Sequence, residues 1–470
     1  MIFHSIDFLV FLLAVLTIYW RLPHRPQQYF LLVASGFFYG YVHPWFLYPL
    51  LATTSIDYLV ARAMERHPGL RWRLLLVSLT ANLGLLAIFK YFGFFVENVT
   101  SLVAWFGFVP PRLVLEIVLP VGISFYTFQS ISYTTDVYRG KIRACHDFVE
   151  FGVYVSFFAQ LVAGPIGRGG DILPQVRREK RIDAATVRSG IVLMTWGFFE
   201  KLVIADNAAL IVNNVFLLEN PPFAVLWAGV FAFTVQILAD FSGYTDIARG
   251  VARLFGFELS RNFNHPYLAT SPGEFWKRWH MSLSNWIRDY LYIPLGGSRV
   301  GFFRYLINLL LTFFLCGLWH GASWNFVLWG LFHGLLIALY RAAGAVRFLV
   351  AMGQLPGVVV LRWLVMFTLT QLGWLIFRET DLTHLFHYLT LSPFADTARE
   401  RQYALFLFTK AFFFSLFLWM HAAVDLYVVP RLASSPRLRF WSETVLATCL
   451  FMGILNMRAF QRVDFIYFQF

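Results

Sequence analysis

Apolar residues run in long blocks along this chain, and polar residues are gathered in short stretches between them. A helix needs about 20 mostly apolar residues to cross the hydrocarbon core of a membrane. The pattern therefore predicts an all-α polytopic membrane protein with about 11–13 membrane-embedded helices, some of them re-entrant or interfacial. The predicted ranges are 5–20, 28–42, 45–61, 74–93, 113–136, 147–165, 189–205, 223–247, 305–320, 323–340, 357–377, 403–427 and 441–457.

Composition supports a lipid environment and argues against both a soluble protein and a nucleic-acid-binding protein. Of the 470 residues, 59% are hydrophobic and only 14% are charged, against about 25% charged in a typical soluble domain. The net charge of +12 does not indicate a nucleic-acid-binding protein, because the basic residues lie in short stretches between apolar blocks. Binding of a phosphorylated ligand on the basic side of the membrane is still consistent with this charge.

Several kinds of chemistry find no support in the motifs. The three cysteines, Cys145, Cys316 and Cys449, are widely spaced, so they indicate neither a disulfide framework nor a zinc site. No motif of a zinc hydrolase, a serine hydrolase or a dinucleotide-binding enzyme occurs. We therefore expect no metal ion and no bound cofactor.

The charges of the loops predict the orientation. Cytoplasmic loops carry excess Lys and Arg, and alternate loops here are basic, for example 62–73 and 139–143. This rule places the N-terminus outside and residues 249–304 on the cytoplasmic side. Residues 1–20 lack the marks of a cleavable signal peptide and are predicted as the first membrane helix.

The first motif with possible chemistry lies in the apolar stretch 305–340. One continuous helix of that length would span about 54 Å, far more than a hydrocarbon core of about 30 Å, so we predict a break at Gly321. Two arms of about 16 residues would leave His320 inside the bilayer, where an ionisable side chain marks a functional site by default. The alternative is a His320 that only hydrogen-bonds a neighbouring helix, and Gly317 and Gly321 are interpreted as packing residues in either case.

The second motif is the charged, aromatic segment 274–292, whose three- and four-residue spacing predicts one amphipathic helix. An interfacial anchor explains most of its residues. His280 lies on the more apolar side, however, where it can point into a cavity. Lys277, Arg278 and Arg288 are candidates for binding phosphates at a cytoplasmic mouth, and simple snorkelling explains them equally well.

Two further stretches are interpreted as structural. Asp240 and Asp246 near the end of an apolar helix need partners, and we expect Asp246 to pair with an arginine of the amphipathic segment. The glycine-rich stretch 164–170 breaks a helix without the spacing of a phosphate-binding loop, and is interpreted as a re-entrant turn.

Taken together, these motifs resemble the membrane-bound O-acyltransferase family, especially its bacterial polysaccharide-acetylating branch. The resemblance is carried by PVGISFYTFQSISYTTDVYRG from Pro120, GPI from Gly164, DFSGYTD from Asp240, RNFNHPY from Arg261, EFWKRWHMSLSNWIRDYLYIPLGG from Glu274, LCGLWHGASWNFVLWGLFHG from Leu315, and FIYFQF from Phe465. It is strongest over residues 1–340, and 345–460 resemble only additional membrane helices. Thr135 and Lys277 depart from the family pattern, at positions away from the expected chemistry.

The resemblance implies one membrane-embedded acyltransferase domain over residues 1–470, with a central cavity or tunnel. His320 matches the family's invariant histidine, and His280 matches its second functional histidine. Acetyl-CoA from the cytoplasm is the implied donor, and a polysaccharide outside the bacterial inner membrane is the implied acceptor, reached through a separate exported acetyltransferase. Trp319 and Trp324 are candidate residues of the tunnel wall, and Asn325 is a candidate for stabilising the oxyanion.

Other functions stay open at this point. A related enzyme can transfer D-alanine to teichoic acid or an acyl chain to a lysophospholipid. A proton-coupled transporter using His320 and Asp240 is the alternative from another class, although the two halves show no inverted repeat of hydropathy.

Overall fold

The computed structural model describes residues 1–108, 118–162, 164–344, 356–432, 435–461 and 463–466. Over these ranges the chain is helical, with no β-strand. Its first eleven helices are α1 (Ile6–Tyr19), α2 (His24–Gly40), α3 (Leu47–Arg66), α4 (Arg71–Leu86), α5 (Phe92–Trp105), α6 (Ile123–Tyr138), α7 (Phe148–Ser156), α8 (Phe158–Leu161), α9 (Gly169–Arg177), α10 (Ala184–Phe199) and α11 (Asp206–Phe216). The remaining ten are α12 (Phe223–Leu254), α13 (Pro272–Arg278), α14 (Met281–Ile287), α15 (Phe302–His320), α16 (Trp324–Gly344), α17 (Pro356–Arg378), α18 (Leu382–Thr390), α19 (Ala398–Ala423), α20 (Val429–Leu432) and α21 (Pro436–Met457).

Seven helical segments of the described chain are long and apolar enough to cross a membrane. They are Pro68–Trp105, Phe223–Leu254, Phe302–His320, Trp324–Ala343, Gly357–Arg378, Ala398–Leu432 and Arg437–Met457. The predicted fold class, an all-α polytopic membrane protein, is confirmed. Residues 113–117 of one predicted helix, and 345–355 before the C-terminal helices, lie outside the described residues.

One predicted helix, 147–165, is wrong as a single element. The structure has α7 and α8 instead, because Phe157 between them is extended, with φ −51° and ψ 115°. Gly164 follows in a tight approach, where a Cβ would lie 2.4 Å from the Cα of Gln160. The chain therefore turns in this region without a long membrane helix.

The chain divides into two compact units. The first contains residues 1–190 and 248–260, and the second contains 191–247 and 261–470. All the candidate site residues predicted from the sequence belong to the second unit. The single acyltransferase domain over residues 1–470 stays a prediction.

Helices α15 and α16 form a tightly packed hairpin around the break at Gly321, where the backbone is extended. A Cβ at Gly317 would lie 2.1 Å from the carbonyl oxygen of Phe326, and one at Gly330 would lie 2.1 Å from that of Phe313. At Gly321, a Cβ would come within 2.2 Å of the Phe326 ring. Glycine at these positions lets the two helix backbones touch.

The arms of this hairpin are longer than the sequence predicts. Helix α15 has 19 residues and α16 has 21, so they rise about 28 and 32 Å at 1.5 Å per residue. Each arm alone matches a hydrocarbon core of about 30 Å. The expectation of two 16-residue arms is wrong, and the depth of His320 in the bilayer stays a prediction.

The predicted amphipathic helix over 274–292 is also wrong as one continuous element. Helix α13 ends at Arg278, α14 begins at Met281, and a π-helical turn follows at Arg288–Tyr292. The break falls at Trp279 and His280, because His280 adopts a left-handed backbone with φ 41°. A face calculated for a continuous helix therefore does not describe where His280 points.

Candidate active site

His320 is the last residue of α15 and is only 4% exposed. Its ring is surrounded by aromatic side chains: the centroids of Trp319 and Trp329 are each 4.8 Å away, and that of Phe377 is 5.4 Å away. All three rings meet the imidazole close to edge-on, at 72° to 84°. The imidazole is therefore held in a water-poor pocket by rigid neighbours.

His280 is fully buried in the same unit. Phe241 meets its ring at 90° with centroids 4.8 Å apart, and Trp319 lies 6.0 Å away. Since Trp319 contacts both imidazoles, one indole separates the two predicted catalytic histidines. Burial lowers the pKa of His280 to about 3, so this side chain is neutral at physiological pH.

The backbone at His280 is strained and is held by a neighbouring segment. Among the described residues, only His265 and His280 combine a side chain with a positive φ, a conformation that concentrates at functional sites. The main-chain oxygen of Asn262 accepts from the N–H of Met281 at 2.8 Å, and its side-chain oxygen accepts from the N–H of Ser282 at 3.2 Å. These bonds fix the turn that aims His280.

A third buried histidine, His333 on α16, was missed by sequence reasoning. Its ring lies 4.9 Å from Trp329 and 5.2 Å from Trp276, and it stacks on Phe275 at 5.9 Å. Trp329 thus lies between His320 and His333, as Trp319 lies between His280 and His320. The signal was available, because an ionisable residue inside an apolar helix marks a site by default.

The predicted tunnel-wall and oxyanion residues fall into different surroundings. Trp319 is 4% exposed, within the cluster just described, whereas Trp324 is 48% exposed at the start of α16. Asn325 is fully buried, and its Nδ2 donates to the main-chain oxygens of Ile376 and Phe377 at 3.3 and 3.0 Å. Both N–H groups of the Asn325 amide thus satisfy carbonyls near the end of α17, as helix ends require. Its role toward a substrate stays a prediction.

A cavity of about 380 Å³ opens between the α13–α14 segment and the α15–α16 hairpin. We call it the basic cavity; its lining includes Trp276, Lys277, Ser284, Asn285, Arg288, Tyr292, Tyr305, Thr312, Phe313, Cys316 and Arg341. Its volume lies within the range of about 300–1,000 Å³ that is usual for small-molecule sites. Lys277 and Arg288, two of the three predicted phosphate-binding residues, line it.

The three cations of the basic cavity are differently engaged. Arg341 lies over the ring of Tyr305 at 4.0 Å, and Arg288 pairs with Asp289 at 2.7 Å. Lys277 is exposed, and within the described residues it forms no ion pair. Arg278 does not line the cavity: it pairs with Glu274 at 2.9 Å and donates to the main-chain oxygen of Asn264.

The inner wall of the basic cavity borders the histidine cluster. Cys316 lies four residues before His320 on α15, which places both on one face of the helix, one turn apart. Trp276, also on the wall, contacts His333 and Trp329 with ring centroids 5.2 and 5.7 Å away. The cavity therefore leads from exposed cations to the surroundings of His320.

The two acidic residues singled out from the sequence occupy different places. Asp240 forms a buried ion pair with Lys201 at 2.9 Å. Asp246 lines a second cavity of about 60 Å³, together with Glu200, Arg261, His265 and His421. We call this second space the ionic cavity; the pairing of Asp246 with an arginine of the 274–292 segment stays a prediction.

Two side chains that line the ionic cavity, Arg261 and His265, share the carboxylate of Asp425, which is not part of the lining. Its Oδ2 accepts from Nη2 of Arg261 at 2.8 Å and lies 3.1 Å from Nε2 of His265. The Glu200 carboxylate accepts from the hydroxyl of Ser242 at 2.8 Å. Over the described ranges, no group of three or more His, Cys, Asp or Glu side chains is placed to hold a metal ion.

The structure thus combines a buried hairpin histidine with a ligand-sized cavity that has a basic mouth, in a polytopic helical protein. The model of the membrane-bound O-acyltransferase family matches residues 139–376, half of the chain. The chain belongs to this family, and it is an acyltransferase.

Its relatives include enzymes named for polysaccharide modification. The chain is 39% identical to the probable alginate O-acetylase AlgI of Pseudomonas aeruginosa over 390 residues, covering 81% of this chain and 73% of that protein. It is 34% identical to the peptidoglycan O-acetyltransferase of Helicobacter pylori, over 78% and 74% of the two chains. The teichoic acid D-alanyltransferase of Bacillus subtilis is 28% identical over 47% of this chain and 58% of its own length.

Proposed function

We propose that this acyltransferase moves an acetyl group from cytoplasmic acetyl-CoA across the bacterial inner membrane toward hydroxyls of an extracytoplasmic polysaccharide. The observation that carries the proposal is the basic cavity, whose inner wall at Cys316 lies one helical turn from His320. Relatives that match most of the chain are named as O-acetylating enzymes of alginate and peptidoglycan. We expect the N-terminus outside and an exported partner that completes the transfer to the polymer.

Acetyl-CoA fits the basic cavity by chemistry. It joins a phosphorylated nucleotide to a narrow arm that ends in the thioester. The cations of Lys277, Arg288 and Arg341 suit the phosphates, since charge-assisted hydrogen bonds to phosphate are the strong ones. The apolar part of the lining, with Trp276, Phe313 and Cys316, suits the arm.

The reaction requires a base near the attacking hydroxyl. In our proposal the imidazole of His320 accepts the hydroxyl proton while the oxygen forms a bond to the acetyl carbon. The carbon–sulfur bond then breaks, and the coenzyme thiolate takes up a proton. Such general-base catalysis typically contributes about 10² to 10⁴ in rate.

His280 supports the reaction without taking the critical proton. Burial lowers its pKa to about 3, far below the value that suits a base working near neutral pH. A neutral imidazole can still orient a reactant by one hydrogen bond. We therefore expect His280→Ala to lower turnover while the protein inserts and purifies normally.

A sided assay in sealed vesicles tests the proposal. Labelled acetyl-CoA is supplied to one face only, with alginate or peptidoglycan fragments and the exported proteins of an alginate-acetylating bacterium at the other, and the orientation is read from labelling of the loop at Arg71. Ester-linked label must appear only when donor reaches the face carrying that loop. Equal labelling from the opposite face would contradict the direction, and no labelling from either face would contradict acetyl-CoA as donor.

The same vesicles separate the related activities. A D-alanyl carrier protein or an acyl-CoA with lysophospholipid replaces acetyl-CoA in parallel reactions. Transfer from the D-alanyl carrier protein, and not from acetyl-CoA, would assign this chain the activity of the teichoic acid enzymes. Transfer from the acyl-CoA to lysophospholipid would assign it that of the phospholipid enzymes. An ion flux without acyl transfer would favour a transporter.

A further inference from the structure

Lys201 is a buried cation in an apolar protein. Its side chain is 1% exposed, and its Nζ lies 2.9 Å from a carboxylate oxygen of Asp206 and 2.9 Å from one of Asp240. Charges at such sites are expensive and are kept when they pair or serve a site. The other groups that Lys201 and Asp240 bind therefore indicate the role of this ion pair.

Both side chains bind the main chain of the C-terminal tail, the segment from Ala459 to Ile466. Lys201 Nζ donates to the main-chain oxygen of Val463 at 2.9 Å, and the N–H of Ile466 donates to Oδ2 of Asp240 at 2.7 Å. The N–H of Ala459 donates to the oxygen of Leu202 at 3.1 Å. Charge-assisted bonds of this kind are stronger than neutral ones, so they seat the tail firmly.

The seated tail places one aromatic ring beside the candidate active site. Phe465 is 1% exposed and stacks on Tyr244, with ring centroids 4.3 Å apart at 25°. The same ring lies 5.9 Å from Phe241, and Phe241 meets the imidazole of His280 edge-on at 4.8 Å. A chain of touching rings thus connects the tail to His280.

We propose that Phe465 is a positioning residue for His280, and that Lys201 and Asp240 act as the anchor that holds Phe465 in place. The inference rests on the proposed acetyl transfer for its kinetic consequence only. The tail presses Phe465 against one side of Phe241, and Phe241 in turn limits the rotation of the His280 ring.

This constraint matters because His280 has a left-handed backbone, which a residue with a side chain keeps only when its surroundings hold it. Phe263 contacts the imidazole from another side, with centroids 6.4 Å apart. Loss of the Phe465 ring would leave space beside Phe241, and the Phe241 and His280 rings would gain rotational freedom.

The test uses the full-length protein in lipid with ¹³C,¹⁵N-labelled histidine. The 12 histidines are few enough to separate, and His280→Gln identifies the His280 signal by its absence. Phe465→Ala and Phe465→Leu are compared with Phe460→Ala, a matched control because Phe460 lies on the same segment and is fully exposed. Phe465→Tyr serves as the conservative variant that keeps the ring.

We expect the His280 signals to shift or broaden in Phe465→Ala and Phe465→Leu, and to stay in place in Phe465→Tyr and Phe460→Ala. Turnover should fall about tenfold in the first two variants with an unchanged KM for the donor. Lys201→Met, which releases the anchor, should reproduce both changes.

Unchanged His280 signals in folded Phe465→Leu would overturn the proposal, and so would shifted signals with undiminished turnover per folded molecule. If the unmodified protein transfers no acetyl group, the proposed function fails. The histidine spectra then still decide whether Phe465 positions His280.

Discussion

The basic cavity and the ionic cavity lie in the same unit of the chain, and both contain Arg and aromatic side chains, yet they handle charge in opposite ways. At the ionic cavity, a space of about 60 Å³, the lining residues Arg261 and His265 share the carboxylate of Asp425. In the basic cavity, three cations face about 380 Å³ of open volume. At the ionic cavity, Arg261, His265 and Asp425 pair with one another, whereas in the basic cavity Arg288 pairs with Asp289, Arg341 lies over a ring, and Lys277 forms no ion pair among the described residues.

This difference teaches how to separate a structural charge from a binding charge in a membrane protein. A buried charge whose partners are protein groups stabilises the fold, or at least avoids the penalty of being unpaired. A cation at the mouth of a ligand-sized space, such as the exposed Lys277, is instead placed where a phosphate can reach it. Variants of the two cavities should therefore change different quantities.

The largest effect is expected for His320→Ala, which removes the proposed base, one helical turn from Cys316 in the wall of the basic cavity. Turnover should fall by about 10² to 10⁴, the usual contribution of a general base, with insertion and yield unchanged. His387→Ala is the matched control, because His387 is an exposed histidine of α18. A wild-type rate of acetyl transfer by His320→Ala would show that His320 is not the base of the reaction.

The next effect is expected for Cys316→Phe, which fills the inner wall of the basic cavity. Cys316 is 3% exposed within α15, and the added ring would narrow the route to His320. The ratio kcat/KM for acetyl-CoA should fall by roughly tenfold to a hundredfold, about 1.4 to 2.7 kcal/mol of transition-state binding. Cys449→Phe, at an exposed position, should leave the ratio unchanged, and an equal ratio in the two variants would contradict a donor route past Cys316.

A smaller effect is expected for Lys277→Gln, Arg288→Gln and Arg341→Gln, tested singly. Each removes one cation from the mouth, so the KM for acetyl-CoA should rise about threefold to tenfold, and its dependence on salt should weaken. Arg437→Gln, an exposed arginine elsewhere, is the control. If Arg437→Gln raises the KM as much as the three cavity variants do, the cavity does not bind the phosphates.

Sequence reasoning reached the helical membrane fold and the family because both depend on signals that run along the chain. Blocks of apolar residues predict helices whatever the tertiary packing, and the break at Gly321 follows from the length of the apolar stretch. The 274–292 segment is helical over much of its length, as predicted, but it is not one continuous helix. Periodicity cannot show that Asn262 bonds to the backbone of Met281 and Ser282 and holds His280 at φ 41°.

The ion pairs between residues far apart in the sequence could not be predicted, for the same reason. Lys201 and Asp240 are 39 positions apart in the sequence, and Asp425 is distant from both Arg261 and His265. Such pairs form only when helices that are far apart in sequence pack together. His333 was within reach, because its position inside an apolar helix carried the same signal as that of His320.

The smallest effect on activity is expected beside the ionic cavity, for Asp425→Ala. The change leaves Arg261 and His265 without their shared acceptor, at side chains that are 37% and 8% exposed. Because Arg261 is partly solvated, we expect a loss of about 1–2 kcal/mol in stability, well under the cost of breaking a fully buried pair. Asp425→Asn keeps one acceptor and should lose less stability.

Thermal denaturation first establishes that each variant is folded at the assay temperature. The KM for acetyl-CoA should then stay within twofold of wild type in both variants. A tenfold rise in that KM at full stability would show that the ionic cavity also binds the donor, and the contrast between the two cavities would then be lost.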